Sequence, residues 1–173
     1  CQDRFAANYR RSGNSFELID DPKASAYLAP PALLSGGGGL VSTTGDYYRF
    51  CQMLLNRGEL DGVRLLGSKT VDFMRSNHLP NGGDLTSMGQ AVFSETQFDG
   101  VGFGLGFSVM LDPVRAQVLG SPGEYAWGGA ASTGFWIDPV EDLIGIFMTQ
   151  LMPSAAYAIR RELRVLVYQS IVD

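Results

Sequence analysis

The sequence predicts an α+β domain in which helices flank an antiparallel sheet. Two observations lead there: helical patterns stand before and after a cluster of short strand patterns, and the last two of those strands are joined by a turn too short for a crossover. A third sets the scale. With 173 residues, 45% of them hydrophobic and 11% aromatic, the chain can bury one core, and no internal repeat, linker or low-complexity tract divides it.

Residues 1 to 35 mix short apolar groups with the turn formers Ser12-Gly13-Asn14, Asp20-Asp21-Pro22 and Pro30-Pro31, and read as loop with one or two short strands. Gly36 to Gly39 lead into Leu40 to Asp46, where Thr43 and Asp46 have the spacing of a capping box and start a helix. Tyr47, Phe50, Cys51, Leu54 and Leu55 follow on one face, and Gly58 is the expected C′ stop. Glu59 to Leu66 contains an Asp61-Gly62 turn. Ser68 is the expected N-cap of a second helix through Val71, Met74 and Arg75, ending near His78-Leu79-Pro80. Asn81 to Asp99, polar and glycine-containing, has the length of a functional or mobile loop.

Gly100, Gly102, Gly104 and Gly106 alternate with Val101, Phe103, Leu105 and Phe107, and read as a strand continuing through Ser108 to Leu111 with one bare face. Such a face calls for something packed closely on it, a helix or a ligand. Strand resumes from Glu124 to Trp127, and two more, Ser132 to Ile137 and Leu143 to Gln150, are joined by the turn Asp138 to Asp142. Pro153-Ser154 introduces a final helix. Its Ala155, Ile159, Leu163, Leu166 and Val167 share the face expected to cover the sheet, with Arg160, Arg161, Glu162 and Arg164 mostly opposite.

Composition excludes several functions. The net charge is −5, and two lysines with eleven dispersed arginines form no basic stripe, which sets nucleic-acid binding aside. No apolar run approaches the roughly 18 to 20 residues of a membrane span. Cys1 and Cys51 are too few for a disulfide framework and lack zinc-ligand spacing, so they read as buried free thiols. The pairs Asp20-Asp21 and Glu141-Asp142 lie in turn-like sequence, and the tetraglycine has no lysine of a phosphate loop, so no metal, nucleotide or other cofactor is expected.

Candidate nucleophiles are few. Ala130-Ala131-Ser132-Thr133-Gly134 approximates a G-x-S-x-G elbow, but Phe135-Trp136-Ile137 continues a strand where an elbow needs a helix, and the sole histidine, His78, lies upstream. His78 reads as a helix-end residue. Trp127-Gly128-Gly129 sets bare backbone between two strands, as either a β-bulge after a core tryptophan or one wall of a substrate cleft.

Several stretches resemble, in order, the C-terminal part of the serine β-lactamase superfamily, in its class C-like, esterase and D-aminopeptidase branch with the penicillin-binding-protein fold. They are Gly37-Gly38-Gly39-Leu40-Val41-Ser42-Thr43-Thr44-Gly45-Asp46-Tyr47-Tyr48-Arg49-Phe50, Leu54 to Gly62, Gly102 to Phe107, Trp127-Gly128-Gly129, Asp138-Pro139 and Met148-Thr149-Gln150. The resemblance implies that residues 1–173 are a single incomplete domain, the C-terminal portion of a β-lactamase/transpeptidase-like fold. It implies a bacterial serine hydrolase acting on a small-molecule ester, amide or β-lactam through an acyl-enzyme. By position Trp127, Gly128 and Gly129 stand for the family's Lys-Thr-Gly box; Ala130 supplies a backbone N–H to the oxyanion hole, and Ala131 continues the wall. Tryptophan in place of a cation offers no charge for a β-lactam carboxylate, which makes an ester or amide gripped by stacking as plausible as a β-lactam.

The family's Ser-x-x-Lys box is absent: Asp20 stands three places before Lys23, and Leu66 before Lys69. Tyr168-Gln169-Ser170 matches the Tyr-x-Asn/Ser box in the wrong order. The expectation is therefore a fragment that begins beyond both boxes, inactive alone and able to self-associate through apolar surface. The alternative is a non-catalytic, penicillin-binding-like or structural relative. Compartment, periplasmic or cytoplasmic, is left open.

Overall fold

A computed structural model describes residues 2–88 and 98–172, so Cys1 and the middle of the predicted loop lie outside the described residues. In chain order the elements are β1 (Asn8–Ser12), β2 (Ser15–Asp20), α1 (Thr44–Leu55), β3 (Glu59–Leu60), β4 (Val63–Arg64), α2 (Ser68–Met74), β5 (Val101–Phe103), β6 (Ser108–Met110), α3 (Pro113–Ala116), β7 (Tyr125–Gly128), β8 (Gly134–Asp138), β9 (Leu143–Phe147), β10 (Leu151–Met152) and α4 (Ile159–Tyr168). The expected α+β arrangement is present. The main sheet runs β5-β6-β7-β8-β9, antiparallel throughout. A smaller sheet, β10-β1-β2, contains one parallel pair, Tyr9 opposite Leu151.

Helix α1 starts where the capping residues place it. Thr43 Oγ1 accepts the Asp46 N–H at 3.1 Å and donates to Asp46 Oδ2 at 2.7 Å. Its end differs from expectation by one residue: Arg57, with φ of 57°, is C′, and Gly58 is C″. The Arg57 N–H reaches Leu54 O at 2.9 Å and the Gly58 N–H reaches Met53 O at 2.8 Å, the two bonds of a Schellman motif. Gly58 is needed because a Cβ there would strike the Leu66 carbonyl. Ser68 likewise shifts by one. Gly67 is the N-cap of α2, its carbonyl accepting the N–H groups of Thr70 and Val71, and Ser68 is already helical.

The predicted continuous strand from Gly100 to Leu111 is instead a hairpin, β5 and β6, in which Gly104 N–H meets Phe107 O at 2.8 Å and Gly106 takes a φ of +96°. What packs on Gly102 and Gly104 is the end of α2 and the chain leaving it. A Cβ on Gly102 would lie 2.5 Å from the Asn77 carboxamide, and one on Gly104 would collide with the Met74 carbonyl.

The main sheet buries two unlike faces. On one, Phe107, Val109, Tyr125, Phe135 and Ile137 pack with Cys51, Met53, Leu54 and Val71 of α1 and α2 into an apolar core. The other carries Trp136 and Asp138 and is covered by α4. Here the prediction holds only in part: Ile159, Leu163 and Val167 are half-buried as expected, but Leu166 is not. Helix α4 begins at Ile159, six residues after Pro153, and turns Arg160, Arg164 and Tyr168 toward the sheet, whereas Leu166 is 58% exposed. Leu163 lines the space under the helix as expected, while the arginines reach the glycines and carboxylate of the sheet, which guanidinium groups fit.

Candidate active site

Strand β7 delivers Trp127 and Gly128 to the end of the sheet, and Gly129 to Thr133 form the turn into β8. The pairing is in register, with Trp127 opposite Phe135 and Gly128 opposite Gly134. The turn is closed by Gly129 N–H to Thr133 O at 3.0 Å and Ser132 N–H to Gly129 O at 3.1 Å, with Ser132 left-handed at φ 69°. It is tied to β10 from both sides: Ser132 Oγ donates to Leu151 O at 2.6 Å, and Leu151 N–H donates to Ala131 O at 3.0 Å. Ala130 sits exposed at the tip, and no acceptor for its N–H occurs among the described residues.

Trp127 is 39% exposed and held edge-on by Phe103, with centroids 5.1 Å apart and ring planes at 79°. Sequence reasoning missed Phe103 in this role, because its neighbour comes from a separate hairpin. The five predicted site residues, Trp127, Gly128, Gly129, Ala130 and Ala131, are thus contiguous on one rim.

Gly128 and Gly134 are bare for a reason that sequence reading left open. A Cβ on Gly128 would stand 2.8 Å from Arg160 Cζ, and one on Gly134 would stand 3.4 Å from Arg160 Cδ and Nε. The arginine therefore lies across both, and its Nη2 donates to Gly129 O at 2.6 Å. One turn on, Arg164 forms a two-pronged ion pair with Glu124 and stacks over Trp136 with its Cζ 5.2 Å from the ring centroid. A further turn on, the Tyr168 hydroxyl lies 2.7 Å from both Glu124 Oε2 and Asp138 Oδ2. One phenolic proton serves one acceptor at a time, so the Tyr168 hydroxyl donates to one of the two carboxylates or the other. Burial pushes Glu124 toward keeping its proton, against the opposing pull of Arg164. Between α4 and the sheet remains a cavity of about 110 Å³ lined in part by Met110, Val118, Trp136 and Leu163; Ala130 and Ala131 do not line it.

Other nucleophile candidates have different duties. The Ser132 hydroxyl is buried and its proton is committed to a carbonyl. His78 Nε2 lies 2.7 Å from Phe73 O, which makes it the protonated nitrogen, and its ring stands edge-on to Phe73. Cys51 is fully buried, and burial pushes its thiol up to about 12, so it stays neutral. Among the described residues no three His, Cys, Asp or Glu side chains group to hold a metal, and no helix is long and apolar enough to cross a membrane.

Known proteins share this plan. The chain is 37% identical over 153 residues to two Mycobacterium tuberculosis proteins, the uncharacterized protein MT1414 and protein Rv1367c, covering 87% of this chain and 37% of each relative. Among solved structures it resembles EstCE1, described as a hydrolase with promiscuous acyltransferase activity, with a TM-score of 0.74 at 24% identity over 96% of this chain and 44% of that one. It also resembles a LovD6 mutant of the simvastatin synthase of Aspergillus terreus, with a TM-score of 0.75 at 25% identity over 97% of this chain and 43% of that one. The chain therefore spans well under half the length of the relatives it matches. The Beta-lactamase family model matches residues 2–169, nearly the whole sequence, and the chain belongs to the beta-lactamase family.

Proposed function

We propose that this chain is the C-terminal part of a serine hydrolase that works through an acyl-enzyme and prefers a small ester or amide to a β-lactam. One observation carries the reading: the exposed Ala130 N–H at the end of β7, without an acceptor among the described residues and three residues from a half-open tryptophan. A donor in that state is ready for the charge that develops on a carbonyl oxygen during acyl transfer. The nucleophilic serine and its Lys/Tyr base belong to a part of the parent outside these residues. Serine oxygen attacks the carbonyl carbon and gives its proton to the base; the oxyanion accepts from Ala130. Collapse expels the alcohol or amine with that proton, and water then releases the acid.

Trp127 and Phe103 offer an aromatic wall and no cation, which suits a neutral substrate better than one carrying a carboxylate. The hydrolase and acyltransferase activity described for EstCE1 supports acyl transfer as the reaction class. Alone, the chain is expected to be inactive. The test is turnover of p-nitrophenyl acetate and nitrocefin by the full-length protein, followed by fluorophosphonate labelling. Ester turnover with one labelled serine is the expected result, and the absence of both overturns the reading. The competing reading, a non-catalytic relative, rests on the missing Ser-x-x-Lys and gains if that box is also absent from the parent gene.

A further inference from the structure

We infer that Arg160 is a positioning residue for acyl transfer, orienting and polarising the Gly129–Ala130 peptide so that the Ala130 N–H faces the reacting carbonyl; this rests on the function proposed above. The carbonyl that Arg160 grips and the N–H proposed for the oxyanion hole belong to the same peptide group. That bond is trans, so its C=O and N–H point in opposite directions and fixing one aims the other. The Arg160 bond, at 2.6 Å with a charged donor, is the stronger of the two on Gly129 O; the other is Ser132 N–H at 3.1 Å. Drawing electron density toward the carbonyl oxygen also makes the N–H a better donor.

The surrounding residues preserve this contact. Gly129 can rotate more freely than any other residue, so its peptide needs an external hold. Gly128 and Gly134, paired across β7 and β8, clear the space the guanidinium occupies. Arg164 and Tyr168, at the next two turns of α4, lock the helix to Glu124 and Asp138 and so fix where Arg160 can reach. Sequence signals were present in the bare Gly128-Gly129 and in the polar stripe at positions 160, 164 and 168, but neither names its partner.

The test uses the full-length protein with Arg160→Met, Arg160→Lys and Gly128→Ala, the last pressing a methyl against the guanidinium while leaving Arg160 in place. Acetyl-ester hydrolysis should lose about 10- to 100-fold in kcat in the methionine variant with KM little changed, since the contribution is made in the transition state. Lysine should recover part of the loss, and Gly128→Ala should reproduce it. Hydrogen exchange in the peptide spanning residues 128 to 134 should quicken in step with kcat loss. A labelled, active wild type whose methionine variant keeps its kcat overturns the inference while leaving the proposed function standing. So does equal loss in the lysine and methionine variants without faster exchange. A wild type that neither turns over ester nor takes the label overturns both.

Discussion

The two faces of the main sheet are held by different physics. Toward α1 and α2 the contact is apolar, with Leu54, Val71, Tyr125 and Ile137 almost fully buried. Toward α4 it is a ladder of arginines and a tyrosine set on glycines and carboxylates. The apolar face tolerates any side chains of suitable volume, because burial is non-directional. The polar face specifies one helix register, because each rung fits one partner. The difference teaches where function is expected: precision accumulates on the face whose bonds reach the peptide at residues 129 and 130, and bulk stability on the other.

Breaking one rung should expose the difference most sharply. Arg164 and Glu124 keep 13% and 2% of their side-chain surface, so Arg164→Met leaves a buried carboxylate without its cation, at a cost of about 3 to 5 kcal/mol in urea unfolding. Replacing both with apolar groups, Arg164→Met with Glu124→Leu, should return most of that stability, because the pair contributes little net energy over a packed hydrophobic equivalent. On the apolar face no such rescue exists. Leu54→Ala, at 1% exposure, should cost about 3 kcal/mol through lost burial and a cavity. If the double replacement recovers nothing, the contrast between the faces is wrong.

This contrast also explains what could be read from the sequence. The apolar face was legible: the spacing of Tyr47, Cys51 and Leu54 gave α1, its cap at Thr43 and its buried side, because burial leaves a periodic mark. The antiparallel pairing of β8 and β9 is legible in the short turn between them. The α4 face is legible only in part: Leu163 lies toward the sheet as its spacing predicts, but Leu166 faces water while Arg160 and Arg164 reach the sheet, because hydrophobicity is not all that chooses an inward side. The glycines at 100 to 106 were read as one strand because alternation alone does not show where a hairpin turns. The bare Gly128 marks a place of close approach, but the side chain that approaches it, Arg160, comes from α4, a distance along the chain that no local pattern spans.

Acid provides a third probe, of intermediate size. Asp84 accepts the N–H groups of Gly100 at 3.0 Å and Ser87 at 2.9 Å and pairs with Arg115, and these backbone bonds first, then the arginine, lower its carboxyl to about 2. Its contribution is therefore present above the unfolded value near 3.8 and is lost as pH falls through 2, amounting to at most about 2 kcal/mol. Glu124 has the opposite sign. Its folded carboxyl is raised by burial, so its contribution is full below the unfolded value of 4.5 and declines as pH rises through the folded one. Unfolding measured from pH 2 to 7 should therefore show Asp84→Asn flattening the acid limb and Glu124→Gln flattening the opposing slope above pH 4.5. The same slopes in both variants would refute the assignment.

The smallest expected effects lie at the starts of the two helices and separate the faces once more. Thr43 caps α1 from extended backbone, with φ −112° and ψ 160°, and its hydroxyl bonds the Asp46 N–H, so Thr43→Ala should cost about 1 kcal/mol. Ala158 precedes α4 without a side-chain cap. Its backbone, at φ −75° and ψ 34°, is not extended, so a hydroxyl placed there is not aimed at the first free N–H groups. Ala158→Ser should accordingly change stability by less than about 0.5 kcal/mol, against the full unit that a well-formed cap gives. A gain as large as the Thr43 loss would mean that α4 is positioned by its own end, and that Arg160, Arg164 and Tyr168 follow the helix instead of fixing it.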